Sequence, residues 1–230
     1  MDWLIDYYNW RIVSQYASEF AVGLGNTLVA AGVSLVLSVL IGIPIALAHM
    51  SSRGLIWRPV AGYVQFIRAT PLLVQIYLVY YAVPALVPGA KGWSEMLLGI
   101  IAMTLHHAAY MSEIIRVGIE SVPQGQIEGA KACGMNYRQR LRYIVLPQAF
   151  ANTLPPLLGQ TAVLIKDTSL LSLITVFELV AAGVEMNSER IVPNESFLTI
   201  AAGYLLIYGC MLLLSKGVSL WLAGPAWNAR

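Results

Sequence analysis

The sequence predicts an all-α membrane protein built on five transmembrane helices, and three observations lead there. Apolar residues make up 58% of the 230-residue chain and charged residues only 11%, against about 25% charged in a typical soluble domain. Several stretches of roughly 20 residues carry almost no charge, enough for a helix to cross about 30 Å of hydrocarbon. Much of the basic charge sits in one segment, residues 120–147, with Lys131, Arg138, Arg140 and Arg142. A mean hydropathy of +0.68 puts most of the chain in a bilayer. A single transmembrane domain, residues 1–230, accounts for this length.

The elements follow in order. Residues 1–20 are mixed in polarity and carry Trp3, Tyr7, Tyr8, Trp10 and Tyr16, which reads as an interfacial aromatic belt. Asp2 and Asp6 stand where a cleavable signal peptide would carry basic residues. The first span is expected over about 24–48, charge-free from Leu28 to Ala48, with Gly42 and Pro44 bending its end. A short polar connection holds Arg53 and Arg58. The second span, about 60–87, is interrupted at Arg68-Ala69-Thr70-Pro71 and closed by Pro84, Pro88 and Gly89. The third, about 96–115, contains His106, His107 and Glu113, unusual on a helix facing lipid.

The basic segment cannot be lipid-embedded, because each central charge costs a few kcal/mol even on mild scales. It belongs in water, where a partner can bind it. Beyond Pro147 the low-charge stretch from Gln148 to Gly183 is longer than one span needs. Pro155 and Pro156 are expected to break it, leaving a span over about 157–181 with Lys166 and Asp167 near its middle. The last span covers about 197–215 and ends at Lys216. Arg53, Arg58, Arg116, Lys131, Arg138, Arg140, Arg142 and Lys216 fall on one side, while only Arg11, Lys91 and Arg190 fall on the other. The positive-inside rule then sets the N-terminus outside, the C-terminus inside and the basic loop in the cytoplasm.

Several chemistries are disfavoured. A net charge of +2 is too small to argue for nucleic acid. No P-loop and no His-Glu-x-x-His occurs. His106 and His107 are adjacent, so on a helix they point about 100° apart and do not share one metal. Cys133 and Cys210 are expected as unpaired, buried or semi-buried thiols. Ser169, His107 and Asp167 supply the residue types of a hydrolase triad, but nothing places them on one cavity.

Intramembrane charge is more informative. Lys166-Asp167-Thr168-Ser169 lies deep in a span, where it either lines a polar pathway or pairs to hold helices together. Arg68, Thr70 and Pro71 pose the same choice, since irregular backbone at membrane depth is tolerated where it lines a cavity or packs in protein. Glu113 is a further candidate for the pathway. Both signs of charge suit a zwitterion: Asp167 for a cationic group, Arg68 and Lys166 for a carboxylate.

The basic segment also resembles a known pattern. Glu128-Gly129-Ala130, three residues, Gly134, nine residues and Ile144-Val145-Leu146-Pro147 resemble the EAA loop of ABC-importer permeases, except that Gly129 stands where that family usually has Ala. Other pieces in family order are Gly25-Asn26-Thr27-Leu28, Arg68-Ala69-Thr70-Pro71-Leu72-Leu73, Ala109-Tyr110-Met111-Ser112-Glu113-Ile114-Ile115-Arg116 and Val122-Pro123-Gln124-Gly125-Gln126. Leu146-Pro147-Gln148-Ala149 and Lys166-Asp167-Thr168-Ser169-Leu170 complete the set. Together they resemble the polar-amino-acid branch, which serves histidine, glutamine, glutamate, arginine and opines.

The resemblance implies a type I importer core in a prokaryotic cytoplasmic (inner) membrane. It implies a second permease subunit, identical or paralogous, and a periplasmic or extracellular solute-binding protein. A cytoplasmic ATPase dimer would carry ATP and Mg, leaving no cofactor on this chain. Glu128, Gly129, Ala130, Gly134, Ile144, Leu146 and Pro147 would then seat on that ATPase. An ion-coupled secondary amino acid transporter is the alternative, with similar midplane charge but no need of such a loop.

Overall fold

The computed structural model describes residues 8–222 and is helical throughout its regular structure. In chain order the α-helices are α1 (Trp10–Gln15), α2 (Ala17–His49), α3 (Gly54–Ala69), α4 (Leu72–Leu86), α5 (Glu95–Glu120), α6 (Gln124–Ala132), α7 (Tyr137–Arg140), α8 (Leu146–Asp167), α9 (Leu179–Arg190) and α10 (Pro193–Leu222). Tight 3-10 turns occupy Ala90–Gly92 and Thr168–Ile174, and a wide π turn occupies Leu141–Val145. Among the described residues four helical stretches are long and apolar enough to cross a membrane: Ala17–His49, Glu95–Glu120, Tyr137–Ile174 and Pro193–Val218. The pair α3 and α4, sharply bent at its break, makes a fifth if it counts as one span.

The expected ends at about 48 and 87 lie within a residue of the helix ends at His49 and Leu86, while the prolines act differently and the fourth span is divided. The helix of the first span runs through Pro44 to His49, and Gly42 serves packing. A Cβ on Gly42 would lie 3.1 Å from Met111 Cβ and 3.2 Å from Ser112 N, so the two backbones meet there. In the second stretch the helix continues past Pro84 to Leu86. Gly89, at φ 87°, makes the turn that follows. Pro155 and Pro156 do not break α8. Both are exposed, while Ala149 and Thr153 on the preceding turns are buried. Packing of that face overrides a local cost of about 3 kcal/mol or more for proline inside a helix.

The helix ends instead at Asp167. Thr168 Oγ1 donates to Ile165 O at 2.7 Å and Ser172 Oγ donates to Ser169 O at 2.7 Å. Hydroxyls that bond nearby carbonyls compete with the α-helical ladder, and the chain tightens into the 3-10 segment. Thr175 then takes a left-handed φ of 65°. Glu178 caps α9, its two carboxylate oxygens each accepting at 2.9 Å from Val180 N and Ala181 N. Residues 157–181 are therefore not one continuous α-helix, and Lys166 and Asp167 sit at a helix end.

The chain divides into two compact units. The first comprises Met1–Val36, Thr70–Thr104 and Ala162–Met211. One of its apolar cores joins Leu72 and Ile76 of α4, Ile100 and Met103 of α5, and Leu171 and Ile174. Another joins Val13, Tyr16 and Phe20 to Leu179, Met186 and Ile200. Tyr16 is thus a buried packing residue, bonded to Glu189 at 2.5 Å. Tyr8 bonds Thr199 and Trp10 is exposed, whereas Trp3 and Tyr7 lie outside the described residues. The Asn26-Thr27 pair anchors the 3-10 exit: Asn26 Nδ2 donates to Phe177 O at 2.7 Å, and Thr27 Oγ1 accepts from Leu179 N at 3.1 Å.

The second unit comprises Leu37–Ala69, Leu105–Thr161 and Leu212–Arg230. Val64, Ile67 and Ala109 form its small core with Ile45 and Tyr63. Tyr63 closes it by donating to Leu105 O at 2.6 Å. Cys133 and Cys210 are both free thiols and both exposed, against the expectation of burial.

Candidate functional site

The segment that joins α5 to α8 is built to hold its own shape. Helix α6 carries Glu128 and Gly129 on its exposed surface, with Ala130 buried beneath. Its end is a left-handed glycine cap: Gly134 takes φ 76°, Met135 N donates to Ala130 O at 3.1 Å, and Gly134 N donates to Lys131 O at 2.9 Å. Glycine takes this conformation without a Cβ penalty. Asn136 and Gln139 then exchange backbone–side-chain bonds of 3.0 and 2.8 Å in a capping box that starts α7. Arg140 Nη1 reaches back to Met135 O at 2.6 Å. Helix α6 packs on α7 and on the π turn, closing a small helical hairpin.

Ile144 lies within the π turn, and Leu146 and Pro147 open α8. Proline lacks an N–H and its ring crowds the carbonyl four residues back. The extra residue of the π turn relieves that crowding, with Leu146 N bonding Leu141 O five residues earlier. Pro147 therefore marks a compositional boundary but does not stop the helix. Glu128 is exposed, its carboxylate accepting a 3.3 Å bond from Gln124.

The second unit also holds an ionic cluster. Glu113 of α5 accepts from Arg116 Nε at 3.0 Å and Nη2 at 2.9 Å. His49 Nδ1 lies 3.0 Å from the same carboxylate, and Arg68 Nη1 lies 3.6 Å away. Arg116 also bonds Glu120 at 2.6 Å. One partly buried acid thus draws together the ends of α2 and α3 and the C-terminal half of α5. Arg68 and Glu113, two pathway candidates far apart in sequence, meet here and line a cavity of about 620 Å³ with Ser121 and Asn152.

The remaining pathway candidates lie in the first unit. Pro71 precedes α4 in extended conformation. The buried Gln75 donates to Thr70 O at 3.1 Å and Thr70 Oγ1 at 2.7 Å, so the irregular turn is satisfied by the chain itself. Lys166 is exposed in the last turn of α8 and, among the described residues, forms no ion pair. Thr168 is buried, and Tyr204 lies 3.4 Å from its hydroxyl while donating to Glu178 at 3.1 Å. Ser169 offers its carbonyl to Ser172.

Sequence reasoning missed three participants. His49 stands at the end of an apolar run and Arg116 counts in the sequence only toward orientation, and neither carries a signal that it turns toward Glu113. The spacing of Glu113, Arg116 and Glu120 is i, i+3 and i+7, one helix face, and could have flagged the Arg116 pairs. Tyr204 lies in an ordinary apolar run and could not have been found.

Residues 38–223 match the family model described as binding-protein-dependent transport system inner membrane component. The nopaline transport system permease NocM of Agrobacterium fabrum is 37% identical over 230 residues, covering 96% of this chain and 94% of that protein. The octopine transport system permease OccM of Rhizobium meliloti is 36% identical over 190 residues, covering 80% and 77%. A crystal structure of an amino acid ABC transporter with histidines superposes with a TM-score of 0.83 at 31% identity, covering 90% of this chain and 95% of that one. These similarities decide against an ion-coupled carrier and an intramembrane hydrolase, and the chain is a transport component rather than an enzyme. With its helical spans and the loop from Glu128 to Pro147, this chain belongs to the binding-protein-dependent transport system inner membrane component family, as a permease subunit of ABC importers in the polar amino acid and opine branch.

Proposed function

We propose that this chain moves a polar amino acid or an amino-acid-derived opine inward across a prokaryotic cytoplasmic membrane. The whole chain works as one transmembrane permease domain with its N-terminus outside and its C-terminus inside. It pairs with a second permease copy or paralogue, receives substrate from a solute-binding protein, and rests on a cytoplasmic ATPase dimer that binds ATP and Mg. The observation that carries the coupling role is the self-contained hairpin of α6, Gly134 and α7. Its caps and cross-bonds let it move as a piece when pushed.

Glu128, Gly129, Ala130, Gly134, Ile144, Leu146 and Pro147 are the docking and transmission residues. Arg68, Thr70, Pro71, Glu113, Lys166, Asp167, Thr168 and Ser169 form the polar pathway. Lys166 supports it: exposed in the last turn of α8 and, among the described residues, without an ion pair, its ammonium is positioned to meet an anionic group on a substrate. The nopaline and octopine names of two relatives favour substrates bearing both carboxylate and cationic groups. Co-expression with the ATP-binding and solute-binding subunits tests the reading. An ATP-binding subunit should co-purify, and proteoliposomes of the complex should take up amino acid only with ATP and the binding protein. Uptake independent of both would refute it.

A further inference from the structure

The chain leaves its first apolar helix, α2, at His49 and enters α3 at Gly54. The turn it presents there mixes charge with large apolar side chains. Arg53, Leu55, Ile56, Trp57 and Arg58 are all exposed. Leu55, at 95%, is the most exposed large apolar side chain among the described residues. Successive helical residues point about 100° apart, so the first turn of α3 is open on every side. The buried stripe of α3 begins only later, at Val64 and Ile67.

Its basic groups are uncommitted. Among the described residues neither Arg53 nor Arg58 forms an ion pair, whereas Arg68 and Arg116 share Glu113. No acidic residue occurs between Glu19 and Glu95. Arg58 Cζ lies 5.8 Å from the centre of the Trp57 ring. A Cβ on Gly54 would stand 3.6 Å from Arg58 Nε and 3.9 Å from Trp57 Nε1, so both side chains fold back over the start of the helix. A guanidinium and an indole N–H thus converge beside Arg53. Hydrocarbon would accept Leu55 and Ile56 but not two guanidiniums, and water would accept the guanidiniums but not the leucine. The headgroup layer accepts both, because phosphate oxygens fit guanidinium forks, indole rings favour that depth, and acyl chains lie just beneath.

We propose that the first turn of α3, from Arg53 to Arg58, binds the headgroup phosphate of an anionic phospholipid. Arg53, Arg58 and the Trp57 N–H donate to the phosphate, while Leu55 and Ile56 enter the acyl layer below it. The lipid pins the start of α3 at the membrane surface. A zwitterionic headgroup binds less well, since its own ammonium competes with the two arginines. The inference needs only a chain embedded in a bilayer, as its family is, and does not depend on substrate, partner subunits or orientation.

The test places the full-length chain in nanodiscs of phosphatidylglycerol and phosphatidylcholine in equal amounts, with bromine on the acyl chains of one lipid or the other. Quenching of the fluorescence that Trp57→Phe removes reports which lipid lies against α3. Phosphatidylglycerol should associate at least about fivefold more strongly than phosphatidylcholine, the weight of one arginine at an anionic surface. Salt at about 1 M should shrink that preference. Arg53→Gln with Arg58→Gln should bring the ratio near one while brominated phosphatidylcholine still quenches, which shows Trp57 still in the membrane. Arg53→Lys with Arg58→Lys keeps the charge and should keep most of the preference. Equal association of the two lipids with the native chain, or a preference unchanged by the glutamine pair, would overturn the proposal. Loss of the preference to excess inorganic phosphate at constant ionic strength would show a free-anion site instead. No quenching of native Trp57 by either lipid would assign the turn to water or to an acidic protein surface, and would overturn it equally.

Discussion

Backbone conformation separates Gly129 from Gly134, and the same substitution should act in opposite directions at the two. A Cβ built at either meets nothing within 4 Å, so steric clash drops out and only the backbone matters. Gly134 sits at φ 76°, where a Cβ costs roughly 1–2 kcal/mol. Gly134→Ala should therefore loosen the cap formed by Met135 N–Ala130 O and Gly134 N–Lys131 O. Gly129 lies inside α6, where Ala is better than Gly by roughly 0.5–1 kcal/mol. Amide hydrogen exchange across residues 124–135 of the solubilised full chain reads both. Exchange should quicken about 5–30-fold in Gly134→Ala and slow about 2–5-fold in Gly129→Ala. Shifts of the same sign in the two variants, or no change in Gly134→Ala, would refute the reasoning. Alanine is also the usual residue of the EAA pattern at position 129, so Gly129→Ala should keep transport coupled.

Glu128→Lys reverses the one acid exposed on α6, a change that should abolish substrate-stimulated ATP hydrolysis while leaving membrane insertion intact; retained stimulation and uptake would remove Glu128 from coupling. At Gly118 an added Cβ would overlap Thr153 Oγ1 and lie 3.0 Å from Thr153 Cβ. Gly118→Ala should thus cost about 1–3 kcal/mol as overpacking, lowering the melting temperature in detergent, with partial recovery when Thr153→Gly is added. An unchanged melting temperature would show that α5 and α8 part easily at this point. Asp167→Asn keeps size and removes charge, so the assembled complex should form with altered uptake or substrate preference. Normal uptake of every substrate would take Asp167 off the pathway, and lost assembly would mark it as a structural partner.

The sequence by itself determined the solvent, the class and the location of the basic segment. Those properties depend on quantities that add along the chain: a run of apolar residues, a count of arginines, a spacing from Glu128 to Pro147. The left-handed turn at Gly134 was legible for the same reason, since glycine after a helical stretch acts through its own backbone. The local effect of proline was not. Pro44, Pro84, Pro147 and Pro155-Pro156 each carry the same local penalty, yet in every case the helix continues. Whether a packed face or a π turn compensates depends on neighbours that arrive from elsewhere in the chain.

Where α8 ends was decided by hydroxyls on Thr168 and Ser172 choosing carbonyls three residues back, a competition too finely balanced to read from composition. The site divides in the same way. Arg68 and Glu113 were each flagged because a charge inside an apolar run is costly wherever it points. That they meet, with His49 and Arg116 around one carboxylate, was decided only by the tertiary structure. Cost of burial is a property of one residue, but the choice of partner is a property of three helices brought together. Two thiols expected as buried or semi-buried and found exposed make the same point from the other side. In a chain this apolar, hydrophobic character no longer separates inside from outside, and only packing does.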